Sequence, residues 1–137
     1  MEITKLIPQR SPIIMVDELL CVNGEEATCQ LTVRKDNYFI DENNLMIEPG
    51  LIEHMAQSAS AFAGYNAINA GATEPPVGYI GEVKNFHLHH LPKVGDTLTT
   101  TISMGPEVEG VTIIRGECRV NEELYADTIM KIFIKEQ

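Results

Sequence analysis

Short stretches in which apolar and polar residues alternate occur toward both ends of the chain, and a period of two is typical of half-buried β-strands. In residues 27–33, for example, Ala27, Cys29 and Leu31 alternate with polar residues. Asn23-Gly24 precedes this stretch and favours a hairpin turn. A second turn is expected at Asn121-Glu122. The pattern predicts six strands, over residues 13–22, 27–33, 77–90, 97–104, 111–120 and 125–134.

One segment, residues 50–69, carries a helical pattern instead. Pro49 suits the first helical position, whereas Gly71 is a candidate C-cap and Pro75-Pro76 cannot continue a helix. Alanine and serine crowd the segment, which predicts a central helix closely wrapped by other structure. Its apolar face, at steps of three and four residues, consists of Leu51, Met55, Ala59 and Phe62.

The order of these elements is two strands, one helix and four strands. Such an order predicts an α+β fold in which a curved antiparallel sheet wraps around one long central helix. The 137 residues fit a single domain, residues 1–137. A sheet of this size covers one side of the helix, so we expect a homodimer to cover the other.

Charge and cysteine usage narrow the function. The net charge of −10 disfavours nucleic-acid and anionic-membrane partners, although an acidic protein could still bind a local basic patch. The three cysteines form no Cys-x-x-Cys pair, which argues against disulfides and thiolate metal sites. With neither a signal-peptide pattern nor a run of roughly 20 apolar residues, a cytoplasmic protein is expected.

Glu53 and Gln57 are the candidate functional pair, because residues four apart share one helix face. Ser60, Ala61 and Gly64 continue that face with small side chains. A carboxylate in such surroundings is costly to bury unless it is paired or functional. The alternative is that Glu53 lies in the first helical turn, favoured by the helix dipole, and points to solvent.

The four histidines offer no obvious partner for Glu53. His54 lies about 100° around the helix axis from it, so the two side chains diverge. His87 and His89 share one strand face and His90 takes the other. Without a third spaced ligand, we expect a surface cluster or half-buried strand histidines here, and no metal site. Asp41 or Glu42, in the loop before the helix, could instead bring a second carboxylate near Glu53.

Three motifs resemble those of the 3-hydroxyacyl-[acyl carrier protein] dehydratases. Residues 7–17, Ile-Pro-Gln-Arg-Ser-Pro-Ile-Ile-Met-Val-Asp, are similar to the opening Leu-Pro-His-Arg-x-Pro, apolar residues, Val-Asp. Residues 53–57, Glu-His-Met-Ala-Gln, resemble Glu-Ala-(Leu/Met)-Ala-Gln on the family's central helix. Residues 84–96, Lys-Asn-Phe to Pro-Lys-Val-Gly-Asp, resemble a strand ending in Pro-x-x-x-Gly-Asp. The motifs keep the family's order.

This resemblance implies a hot-dog fold, a dimer with sites at the subunit interface, and elimination of water from acyl carrier protein thioesters in fatty-acid or polyene-type lipid synthesis. It implies Glu53 as the catalytic carboxylate and Gln57 as a residue that orients substrate. Gly50 would supply N–H donors to the thioester oxygen at the helix N-terminus, and Phe86 would contact the substrate. No cofactor is implied.

The chain departs from this family in two places. Residues 37–44, Asn-Tyr-Phe-Ile-Asp-Glu-Asn-Asn, stand where the family carries its catalytic histidine in a Gly-His-Phe-Pro loop. The interval from Gly50 to Glu53 is two residues shorter than usual. A divergent branch, found in gene sets for aryl-polyene and related lipid synthesis, also lacks the loop histidine and keeps the helix Glu and Gln. Residues 45–57 resemble that branch.

Three functions therefore remain open. The first is a dehydratase acting on acyl carrier protein thioesters, with its second proton-transfer group unidentified. The second is a binding subunit, weakly active alone, that either holds an acyl chain or completes a heterodimer with a related hot-dog protein. The third is a hot-dog thioesterase, in which Glu53 activates water or attacks the thioester, chemistry that needs no histidine.

Overall fold

A computed structural model describes residues 2–135, including all their side chains except those of residues 77–79, 134 and 135. A 3-10 turn, Ile3–Lys5, precedes one helix and six strands. The helix is α1 (Glu48–Asn69). The strands are β1 (Glu18–Asn23), β2 (Glu26–Thr32), β3 (Val77–Leu88), β4 (Thr97–Val108), β5 (Val111–Val120) and β6 (Glu123–Lys135).

The six strands form one antiparallel sheet in the order β1-β2-β4-β5-β6-β3. The α+β class and the sequence of elements are as predicted. The first turn lies one residue later than predicted, at Gly24-Glu25, because Asn23 is the last residue of β1 and pairs with Glu26. Gly24 has φ +61° there. The second predicted turn is confirmed, because Asn121 and Glu122 have φ +50° and +71°. Two successive left-handed residues are typical of the tight turn that matches the twist of a hairpin.

Helix α1 ends in a Schellman motif. The Gly71 N–H donates to Ile68 O and the Ala72 N–H donates to Ala67 O, both at 3.0 Å. Gly71 has φ +104° and follows the cap residue, Ala70, so the predicted capping position was wrong by one. Within residues 2–135, no helix is long and apolar enough to cross a membrane.

The predicted apolar face of α1 lies in the core. Leu51, Met55, Ala59 and Phe62 are at most 2% exposed. Gly116 of β5 packs closely against this face, since a Cβ atom there would stand 3.2 Å from the Met55 sulfur. The core therefore fills the space between α1 and the central strands of the sheet.

The first strand begins five residues later than predicted. Met15 and Val16 are buried, but they pack on α1 and do not join the sheet. A long-range hydrogen bond keeps this segment out of the sheet, since the Met15 N–H donates to Gln57 Oε1 on α1 at 2.6 Å. Asp17 makes the transition to β1, and its carboxylate accepts the Thr32 N–H at 2.8 Å.

The N-terminal segment crosses α1 at Gly64, and the Arg10 side chain fixes its local shape. The Arg10 guanidinium donates to the backbone oxygens of Thr4, Ile7 and Gln9 at 2.8–3.0 Å. Gly64 permits the crossing, since a Cβ atom there would stand 1.9 Å from Leu6 O. Arg10 thus links the backbone of residues 4–10, and Gly64 lets Leu6 pack closely on the helix.

The inner face of edge strand β3 is left partly uncovered. Ile80, Val83 and Leu88 of β3 are 36–38% exposed. Their cross-strand partners on β6 are at most 3% exposed; these are Ile132, Met130 and Ala126. Helix α1 therefore covers the inner face as far as β6 and leaves the next strand without an apolar cover.

Candidate active site

A cavity of about 210 Å³ lies between α1 and this uncovered side of the sheet. Its helical wall is a stripe at steps of three and four residues, which places the predicted Glu53–Gln57–Ser60 face along it. Ile80 contributes the β3 side, so the cavity adjoins the sheet edge. The lining residues are Gln9, Glu53, Ala56, Gln57, Ser60, Ile80 and Ile132.

Gln57 is the centre of the hydrogen bonding here. It is fully buried, and its Nε2 group donates to both Ile13 O and Glu53 Oε1 at 2.9 Å. Its Oε1 accepts the Met15 N–H. Both amide hydrogens are therefore committed to the protein, and in this structure Gln57 positions Glu53.

Glu53 is partly buried and faces the cavity. It lies beyond the first helical turn, where Glu48 is the acidic residue, so the alternative of a first-turn surface carboxylate was wrong. Among the side chains that the structure describes, no lysine, arginine or histidine forms a salt bridge with Glu53. The carboxylate is oriented by one amide and is not neutralised by a cation from the described chain.

His54 points into the core, away from Glu53. Its Nδ1 lies 2.6 Å from Met15 O and its Nε2 lies 2.8 Å from Thr100 Oγ1. Burial lowers the pKa of His54 to about 4. A neutral ring that donates from Nδ1 and accepts the Thr100 hydroxyl at Nε2 satisfies both contacts. His54 thus ties α1 to β4 and to the segment before β1.

The other three histidines form a surface cluster at the end of β3. His87 Nδ1 and His89 Nε2 lie 2.9 and 3.2 Å from the two carboxylate oxygens of Asp127. Burial raises the pKa of Asp127, but its hydrogen bonds with both histidines outweigh this and leave it lowered. His90 pairs with Glu123 at 2.7 Å. Within the described residues, no three His, Cys, Asp or Glu side chains are placed to hold a metal.

The remaining predicted residues lie away from the cavity lining. The Gly50 N–H donates to Ile47 O at 2.9 Å, and a Cβ atom at Gly50 would stand 2.6 Å from Phe39. Phe86 lies where the β3–β6 register shifts, half-buried against the core. Asp41 accepts the N–H groups of Asn43 and Leu45, so it stabilises its own loop. Neither Asp41 nor Glu42 lines the Glu53 cavity.

Gln9 is a lining residue that the sequence reasoning did not single out. It lies inside the opening motif, at the position where the resembling dehydratases carry histidine. This glutamine in place of histidine is the sequence signal that could have identified Gln9 as a site residue. Ser60 had been assigned to the Glu53 face only as a small side chain, and it adds a hydroxyl to the cavity wall.

Comparisons with known proteins agree on one family. The ApeP-like family, described as ApeP dehydratase, matches residues 1–137. The 3-hydroxyacyl-[acyl-carrier-protein] dehydratase FabZ of Methylobacterium nodulans is 24% identical over 132 residues, 93% of this chain and 82% of that protein. The Levilactobacillus brevis FabZ is 27% identical over 128 residues, 90% and 84% of the two chains.

Solved structures establish the hot-dog fold. The dehydratase heterocomplex ApeI:P from Xenorhabdus doucetiae superposes with a TM-score of 0.92 at 15% identity, covering all of this chain and 93% of the other. A hypothetical thioesterase protein with coenzyme A from Streptococcus pneumoniae superposes with a TM-score of 0.68 at 12% identity, covering 88% and 86%. The predicted fold is confirmed.

Proposed function

Because the chain belongs to the ApeP-like dehydratase family, we propose that it is the carboxylate-bearing subunit of a cytoplasmic dehydratase in lipid synthesis. The substrate is a 3-hydroxyacyl thioester of acyl carrier protein, and residues 1–137 act as one domain. The observation that supports this is the Glu53 carboxylate, which Gln57 holds in a cavity that none of the four histidines lines.

The reaction needs two proton-transfer groups. A base removes a proton from C2, next to the thioester carbonyl, and an acid protonates the departing 3-hydroxyl. Glu53 supplies one group, and the described chain supplies no second one at the cavity. The core position of His54 and its lowered pKa exclude it from this role. The second group must therefore come from another subunit.

Strand β3 is the proposed site of that subunit. It pairs with β6 on one side, and an exposed edge of 12 residues is a ready template for pairing with another chain. Because the inner face of β3 is uncovered, we expect the partner to pack apolar residues against it. Since Ile80 belongs to both β3 and the cavity wall, a partner here would reach Glu53.

We favour a heterodimer over a homodimer, because a second copy would bring a second Glu53 and no histidine in the equivalent place. The similarity to the dehydratase heterocomplex ApeI:P from Xenorhabdus doucetiae supports this choice. Gly50 and Phe86 remain proposed substrate contacts. For Gly50 this requires the thioester oxygen to replace Ile47 O as its acceptor.

The test is to supply a 3-hydroxyacyl thioester and its 2-enoyl counterpart to the chain alone and with a histidine-bearing hot-dog dehydratase subunit. We expect interconversion only in the mixture, and a loss of about 100-fold or more with Glu53→Gln at unchanged Tm. Glu48→Gln, on the exposed first turn, is the matched control. Full turnover by the Glu53→Gln complex would refute the assignment.

A thioesterase is the second candidate, because a lone carboxylate can activate water or attack the thioester itself. The cavity with one carboxylate and no histidine is the observation that favours it. Release of free thiol by the chain alone, abolished by Glu53→Gln, would select this function over dehydration.

A further inference from the structure

One buried oxygen in the cavity wall has no partner in the protein. Gln9 Oε1 is shielded from solvent, yet no group that the structure describes donates a hydrogen bond to it. It is the one buried side-chain nitrogen or oxygen of the described residues in this condition. Because buried acceptors in folded proteins are almost always paired, an unpaired one in a cavity points to a donor on a ligand.

The position of Gln9 is set by its backbone. Gln9 O accepts Arg10 Nη1 at 2.8 Å, and the same guanidinium holds Thr4 O and Ile7 O. Leu6, three residues earlier, is seated against Gly64 of α1. These contacts fix the Gln9 Cα beside the helix without using the side-chain amide, which leaves that amide available for a ligand.

Gln57 and Glu53, which also line the cavity, have other roles. Gln57 gives both amide hydrogens to the protein, and its oxygen is bonded to Met15. Glu53 must exchange a proton with the substrate if the proposed function holds. Gln9 Oε1 is therefore a neutral acceptor that shares the cavity with the proton-transfer group.

We propose that Gln9 Oε1 accepts the hydrogen of the substrate's 3-hydroxyl group. This inference rests on the proposed function. In the elimination, the C2 proton goes to the base and its electron pair forms the C2–C3 double bond. The C3–O bond breaks, and the oxygen leaves as water after taking a proton from the Glu53 carboxyl group. A hydroxyl that donates to Gln9 turns a lone pair toward Glu53 and becomes a better proton acceptor.

Binding of three four-carbon pantetheine thioesters tests this contact, because only one of them carries the hydroxyl. We would measure Kd calorimetrically for 3-hydroxybutyryl-, butyryl- and 2-butenoyl-pantetheine with the full chain and with Gln9→Met, which is of similar length and has no acceptor. We expect 3-hydroxybutyryl binding to weaken about 3- to 10-fold, the effect of one hydrogen bond. Binding of the other two thioesters should stay within about twofold.

Gln30→Met, on β2 and outside the cavity, is the matched control and should change none of the three constants. Gln9→Met should also keep or raise Tm, since it removes a buried unpaired oxygen. Equal weakening of all three thioesters, no weakening of any, or a marked loss of Tm would overturn the inference and leave the proposed function standing. Failure of the wild-type chain to bind any of the three would overturn the inference, which places the thioester in this chain's own cavity, and would leave the partner-dependent function standing.

Discussion

Replacement of His54 tests whether this direct neighbour of Glu53 serves the fold or the reaction. The ring is fully buried and bridges Met15 O to Thr100 Oγ1. Burial holds the pKa of His54 near 4, against 6.5 for an ordinary histidine. His54→Gln keeps a donor and an acceptor at that place but removes the titrating group.

The sign and size of the effect follow from this pKa. Between pH 6.5 and 4 the unfolded chain binds a proton at residue 54 and the folded chain does not, so acid favours unfolding. The stabilisation is present above pH 6.5 and is lost as pH falls toward 4. Between pH 7.5 and 4.5 the loss from this one group is about 2–3 kcal/mol, because each pH unit in that window contributes at most the free energy of a tenfold change in an equilibrium constant.

Urea unfolding of wild type and His54→Gln, at one protomer concentration and at pH steps from 7.5 to 4.5, measures this term. The Asp127 cluster with its two histidines is the same in both proteins, so its contribution to the pH dependence cancels in the difference. We expect the free energy of unfolding to fall more steeply with acid in wild type. Turnover in the complex at pH 7.5 should change by no more than a few fold.

Two results would refute this reasoning. Parallel curves of unfolding free energy against pH would mean that His54 does not remain neutral in the folded chain. A several-hundred-fold loss of turnover in a folded His54→Gln complex, more than about 3 kcal/mol of transition-state stabilisation, would place His54 in the reaction.

Two further substitutions test the architecture around the site. Gly64→Ala should lower the free energy of unfolding by about 1–3 kcal/mol in urea titrations, because its Cβ would collide with Leu6 O. Gly24→Asn, at φ +61° in open space, is the control and should lower the free energy of unfolding far less. A Gly64→Ala variant more stable than wild type would contradict the close crossing. Val83→Lys should weaken subunit association at least tenfold in sedimentation, since it places a charge on the uncovered inner face of β3; unchanged association would exclude β3 as the interface.

Local patterns were sufficient for most of the fold. The period of two in β2 and the period near 3.6 in α1 arise from neighbouring residues, so the sequence shows them directly. The start of β1 was misjudged because residues 13–17 look like a strand locally. The Met15 N–H and the C=O groups of Ile13 and Met15 bond to Gln57 and His54, about 40 residues away, and no local pattern carries that information.

The site, like the fold, could be predicted only where it depends on neighbouring residues. Glu53 and Gln57 could be paired from their spacing, whereas the bond between them and the full commitment of Gln57 depend on residues 13 and 15. Gln9 lies at the cavity because Arg10 bonds to the backbone of the opening segment and Gly64 allows that segment to pack closely across the helix. Long-range contacts of this kind decide which polar side chains share a cavity.

Two independent deficits coincide at one edge of this molecule. The chemistry lacks a second proton-transfer group at Glu53 within the described residues, and the fold lacks an apolar cover over the inner face of β3. A thioesterase would explain the missing proton-transfer group alone, and a surface strand that binds other chains would explain the uncovered face alone. Ile80 belongs to both, because it is uncovered on β3 and lines the Glu53 cavity. A single subunit bound at β3 removes both deficits at once, and we therefore regard the cavity as half of an active site.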